Sequence, residues 1–79
     1  MRVPRDTDAG ALVKLLEKYD YYVVRQTGSH IRMEKEIKSG NHAITIPNHK
    51  PIKIGTLQSI VKDVCSLNNL EVDSFYKQL

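Results

Sequence analysis

The sequence predicts an α+β domain: a two-layer sandwich in which helices cover one face of a three-stranded antiparallel sheet, with a short extra helix at the C-terminus. Three observations point there. Leu12, Leu15, Leu16 and Tyr19 recur at helical spacing, and Leu57, Ile60, Val61, Val64 and Cys65 do so again near the other end. Between these stripes lie three consecutive segments of strand composition or apolar–charged alternation. Turn residues, Gly28-Ser29 and Ile37-Lys38-Ser39-Gly40, separate the three segments. The order helix, strands, helix segregates the helices to one side of the sheet.

The 79 residues make one domain, 1–79, burying roughly 60 % of the surface its unfolded chain exposes. Twelve Lys+Arg against nine Asp+Glu leave a net charge of +3. This moderate basicity suits a nucleic acid or an acidic protein and proves neither. Cys65 is the single cysteine, so there is no disulfide framework and no cysteine pair for zinc. No apolar run approaches the roughly 18–20 residues of a spanning helix, so no membrane partner is expected. Met1-Arg2-Val3-Pro4-Arg5-Asp6 has no apolar signal core, and the expected location is the cytoplasm.

Residues 1–7 read as an extended lead-in, since Pro4 biases Val3 away from helix. Asp8 or Thr7 caps the first helix, which should end near Tyr19-Asp20. Strands follow at Tyr21–Thr27, His30–Glu36 and Asn41–Ile46. In the first turn, Gly28 is expected to supply a positive φ. Placing Val24 on the core side sets it opposite Met33, Met33 opposite Ile44, and Ile31 opposite Ile46. That register lines up Arg25, Arg32 and Thr45 on the other face, with His30 at the row's end near Pro47. Pro47-Asn48-His49-Lys50-Pro51 ends the sheet, because two prolines cannot donate to a ladder. Thr56, after Gly55, is the expected N-cap of the second helix. Val72, Phe75, Tyr76 and Leu79 form the apolar face of the last helix, with Asn69 near its start.

His30 is the first candidate for chemistry. RNA is cut without metal when a base takes the 2′-hydroxyl proton, the oxygen attacks phosphorus, and an acid protonates the leaving 5′ oxygen. An imidazole suits either step because it titrates close to neutral pH. Arg25 and Arg32, on the same face, could hold the phosphate; Gly28 would leave it room and Ser29 could donate to it. The bland alternatives are an exposed strand histidine beside a glycine and a serine that serve only the turn. Lys50, Lys53 and Thr56 stand where a helix N-terminus offers donors to an anion, or form an ordinary solvated loop. His49 could brace that loop or meet substrate. His42 is read as structural, the Tyr19, Tyr21, Tyr22 cluster as packing, and Cys65 as core. The three histidines lack zinc-ligand spacing, so no metal site is expected.

Read together, Val3-Pro4-Arg5-Asp6, Tyr22-Val23-Val24-Arg25-Gln26-Thr27-Gly28-Ser29-His30-Ile31-Arg32, Ile46-Pro47-Asn48-His49-Lys50-Pro51 and Gly55-Thr56-Leu57 resemble the HicA (YcfA-like) toxin family over nearly the whole chain. The resemblance implies a double-stranded-RNA-binding-domain-like α-β-β-β-α fold. It also implies a toxin of a type II toxin–antitoxin system, a metal-independent endoribonuclease cleaving mRNA, without cofactor and neutralised by a HicB-like antitoxin. The family's histidine in its Gly-Ser-His string matches His30, its proline-x-histidine matches Pro47-Asn48-His49, and its Gly-Thr-Leu helix start matches Gly55-Thr56-Leu57. One departure is Asp20-Tyr21, where the family often has glycine before an aromatic; aspartate reaches the left-handed region at some cost. Two other readings fit the same face: a non-catalytic RNA-binding module, and a module that meets an acidic protein.

Overall fold

The computed structural model describes residues 3–79, so Met1 and Arg2 of the expected lead-in lie outside the described residues. The order is α1 (Ala9–Glu17), β1 (Tyr22–Gln26), β2 (His30–Ile37), β3 (Gly40–Pro47), α2 (Ile54–Asn68) and α3 (Val72–Lys77). The strands form one antiparallel sheet in the order β1-β2-β3. This is the expected α-β-β-β-α arrangement with its short extra helix. Among the described residues no helix is long and apolar enough to cross a membrane.

Asp8, in extended conformation, caps α1 by accepting the Ala11 N–H at 2.8 Å. Thr7 is buried instead, and its carbonyl accepts the Ile52 N–H at 2.8 Å. The helix stops at Glu17, earlier than the stripe through Tyr19 suggested. Asp20 then turns the chain toward the sheet in the left-handed region, at φ 72, which meets the geometry that glycine would have supplied.

Alternation along β2 and β3 sends Ile31, Met33, Ile44 and Ile46 to one side. There they pack with Leu12, Leu15 and Leu16 of α1, Leu57, Val61, Val64 and Cys65 of α2, and Phe75 and Tyr76 of α3. Met33↔Ile44, Ile31↔Ile46 and His30↔Pro47 are paired as the pattern requires.

β1 departs from expectation. Val23, not Val24, lies opposite Met33, and the register slips before Arg25 meets Arg32. Val24 is the extra residue of this irregularity and stays 44 % exposed. The physical reason is that every β1 side chain is exposed, at the edge of a sheet whose buried residues all come from β2 and β3. Tyr21, just before the strand, enters the core instead.

Three further expectations need correction. Gly28 has no positive φ; among the described glycines only Gly40 does, at 135. The first turn closes through Thr27 instead: its N–H donates to the His30 carbonyl at 2.8 Å, and its Oγ1 accepts the His30 N–H at 3.1 Å. α2 begins at Ile54, so Thr56 sits inside the first turn, and Lys53 occupies the N-cap without a side-chain bond. The helix starts as soon as buried Ile52 has been anchored to Thr7. Asn69 ends α2 as a left-handed C-cap, at φ 56 and ψ 45, and does not open α3.

Candidate functional site

His30 is the first residue of β2, and its main chain is held on both sides by Thr27. The imidazole lies outside the hydrophobic layer, exposed to solvent, with Nδ1 3.1 Å from the Ser29 Oγ. That contact occupies one ring nitrogen and leaves Nε2 for an incoming ligand.

The hairpin tip is tied to the segment leaving β3. The Asn48 N–H donates to the Ser29 carbonyl at 2.9 Å, and Asn48 Nδ2 donates to the Gly28 carbonyl at 3.3 Å. The next residue, His49, donates its N–H to the Pro47 carbonyl at 2.8 Å and accepts the Ala9 N–H at 3.3 Å. The tip of one hairpin, the end of β3 and the start of α1 are thereby joined through main-chain bonds. Between them and the first turn of α2 opens a cleft of about 260 Å³, lined by His30, Pro47, His49, Lys53 and Thr56.

Of the residues singled out from the sequence, His30, His49, Lys53 and Thr56 meet in this cleft, and Ser29 touches it through His30. Gly28 stands in the open, with no atom within 4 Å of where a Cβ would be. Lys50 is exposed and does not line the cleft. Arg25 and Arg32 pair across β1 and β2 on the outer face, apart from the cleft. Arg32 there turns to Glu34, Nε to Oε2 at 3.1 Å, and Asn41 Nδ2 reaches the same carboxylate at 3.3 Å. The outer row is therefore interrupted by an acid. The signal was available, since Glu34 lies two residues beyond Arg32 and strand neighbours at that spacing share a face.

His42 is structural, as expected. Its Nδ1 lies 2.7 Å from the Tyr21 hydroxyl and its Nε2 3.2 Å from Asp63 Oδ2. Asn68 Nδ2 donates to the same hydroxyl at 3.1 Å and to the Val64 carbonyl at 2.8 Å, while Lys35 donates to the Asn68 amide oxygen. Burial raises the Tyr21 phenol above its ordinary range against a lowering by Asn68, and burial raises the Cys65 thiol too. Cys65 is core, as expected. Among the described residues, no group of three or more His, Cys, Asp or Glu side chains is placed to hold a metal ion.

Pro47 stands beside His30 as the register predicted, and what sequence reasoning missed is the part of Asn48. Pro47 walls the cleft and Asn48 stitches it; Asn48 carries no local signal for its bonds to Gly28 and Ser29 some twenty residues earlier. A family model described as HicA toxin of bacterial toxin-antitoxin matches residues 11–64, from α1 into α2, and so includes every residue lining the cleft. No curated protein and no solved structure matches the chain.

Proposed function

The chain belongs to the HicA toxin family of bacterial toxin–antitoxin systems, and from that premise we propose that it is a metal-independent endoribonuclease that cleaves mRNA, with His30 handling the proton of the attacking 2′-hydroxyl. The observation that supports this reading is an accessible imidazole, fixed through its own main chain and through Ser29, opening into a cleft that also carries a lysine. A base at His30 Nε2 removes the 2′-hydroxyl proton, and the oxygen attacks phosphorus. The P–O5′ bond breaks as an acid protonates the departing oxygen, leaving a 2′,3′-cyclic phosphate and a 5′-hydroxyl. Lys53 offsets charge on the non-bridging oxygens, and Thr56 offers a hydroxyl donor beside it. Gly28 leaves the strand space to pass, while Arg25, Arg32 and Lys50 guide its backbone from outside the cleft.

The reading includes a HicB-like antitoxin that shields the His30 cleft, and a site of action in the cytoplasm, where mRNA is found. Its test is direct. Purified protein incubated with RNA in EDTA should cleave it, and His30→Ala should lose about 10²–10⁴ in rate while keeping the far-UV spectrum and the thermal midpoint. A His30→Ala variant that cuts as fast as the parent rules the mechanism out. Duplex binding with no cleavage by the parent protein would point to the non-catalytic RNA-binding module.

A further inference from the structure

Cleavage through a 2′-oxygen involves two proton transfers on opposite sides of phosphorus, because the entering and leaving oxygens stand roughly in line. A single imidazole leaves one of them unserved. The cleft beside His30 holds Pro47, His49, Lys53 and Thr56. Pro47 has no ionisable group; a hydroxyl and an ammonium are far weaker acids at neutral pH than an imidazolium. That leaves His49. The third histidine, His42, is out of contention, since Tyr21 and Asp63 occupy both its nitrogens.

Resting on the ribonuclease reading, we propose that His49 is a second catalytic residue, the acid that protonates the leaving 5′ oxygen while His30 acts as the base. The division of roles is part of the proposal, and the contact beside His30 suits it. Ser29 Oγ lies 3.1 Å from His30 Nδ1; in the tautomer that carries its hydrogen on Nδ1, Nε2 presents a lone pair, which is the form a base requires. The partner imidazole must then be the proton donor. In the step, the 2′-hydroxyl proton passes to His30 Nε2, the O2′–P bond forms, the P–O5′ bond breaks, and the proton of His49 goes to O5′. His30 ends protonated and His49 neutral, and exchange with water restores both.

Main-chain bonds tie together the two segments that carry these rings. His49 is anchored through its N–H to Pro47 and through its carbonyl to Ala9, while adjacent Asn48 clasps Gly28 and Ser29 on the hairpin that carries His30. Both residues therefore face one cleft from joined segments, and general acid–base catalysis works only within hydrogen-bond reach of the moving proton.

The test replaces the bridging 5′ oxygen of one linkage in an oligoribonucleotide by sulfur, whose thiolate leaves without a proton. His49→Ala should slow cleavage of the all-oxygen strand by about 10²–10⁴ and cut the sulfur strand within about tenfold of the parent. His30→Ala should be slow on both. The ratio of sulfur to oxygen rates within one preparation does not depend on how much protein is folded, and His49→Gln should give the same ratio as His49→Ala. Full activity of His49→Ala on the oxygen strand overturns the proposal, as does an equal loss on both strands, which would mark a binding role. If the parent cleaves neither strand, the ribonuclease reading itself falls, an outcome distinct from either of these.

Discussion

Ser29→Ala tests whether the hydroxyl beside His30 tunes that ring or does something larger. The substitution removes one contact, Ser29 Oγ to His30 Nδ1 at 3.1 Å, between two exposed side chains. It spares the turn, because Thr27 still pairs with His30 and the Asn48 N–H still reaches the Ser29 carbonyl, which alanine retains. A neutral hydrogen bond is worth about 0.5–1.5 kcal/mol net. If that energy holds the imidazole in the productive tautomer and rotamer, losing it reduces the reactive fraction by about two- to thirteen-fold. The expected result is a fall in kcat of that size, with KM little changed and with Ser29→Thr largely restoring the rate. Single-turnover cleavage of a defined oligoribonucleotide in EDTA measures it, beside His30→Ala as the floor. A Ser29→Ala variant as slow as His30→Ala would refute the reasoning, since a positioning hydroxyl cannot account for so large a loss. So would a loss confined to KM, which would make Ser29 a substrate contact.

Met33→Ala should cost about 2–5 kcal/mol, because the side chain is fully buried between sheet and helices, whereas Val24→Ala, at the irregular edge of β1, should stay within about 0.5 kcal/mol; urea midpoints separate the two. Lys53→Ala in a His30→Ala background should weaken RNA binding for all sequences alike and reduce the salt slope by about 0.7, measured by fluorescence anisotropy across a salt series. Burial raises the phenols of Tyr21 and Tyr76 above their ordinary value of 10.0. Their contribution to stability is therefore complete below pH 10 and is lost as pH rises through the native values. Urea midpoints should fall above pH 10, and less steeply in Tyr21→Phe with Tyr76→Phe.

The β2–β3 hairpin was legible because apolar Ile31 and Met33 alternate with charged Arg32 and Glu34, a phase that matches Ile46 and Ile44 across the Ile37–Gly40 turn. β1 was not, since Tyr21-Tyr22-Val23-Val24 is apolar throughout and carries no phase. An unbroken run cannot say which residue faces inward, so the slip at Val24 had no local signature. The start of α2 was misread for a related reason. Gly55-Thr56 has the composition of a cap, yet Ile54 already belongs to the stripe through Leu57 and Val61 and is half-buried. Tertiary burial extended the helix past the residue that local chemistry favoured as its cap. His30 could be singled out from its turn alone. Its meeting with His49 could not, because that rests on Asn48 reaching back to Gly28 and Ser29.

The position of the cleft follows from the same pairing. His30 opens β2 and Pro47 closes β3, and antiparallel register sets them side by side at one end of the sheet. The chain leaving Pro47 must return to the core, which it does when buried Ile52 bonds to Thr7, and α2 starts two residues later. Between Pro47 and Ile52 there is little slack, so His49, and Lys53 and Thr56 just beyond, are drawn to the end of the sheet where His30 already stands. The outer face carrying Arg25 and Arg32 has no such enclosure; both arginines are exposed, and one is turned toward Glu34. A flat charged face can hold a polyanion but cannot surround a phosphorus atom with groups from several directions. Under the proposed function the division of labour is therefore geometric: the open face retains the strand, and the end of the sheet, where helix, hairpin and loop converge, carries out the proton transfers.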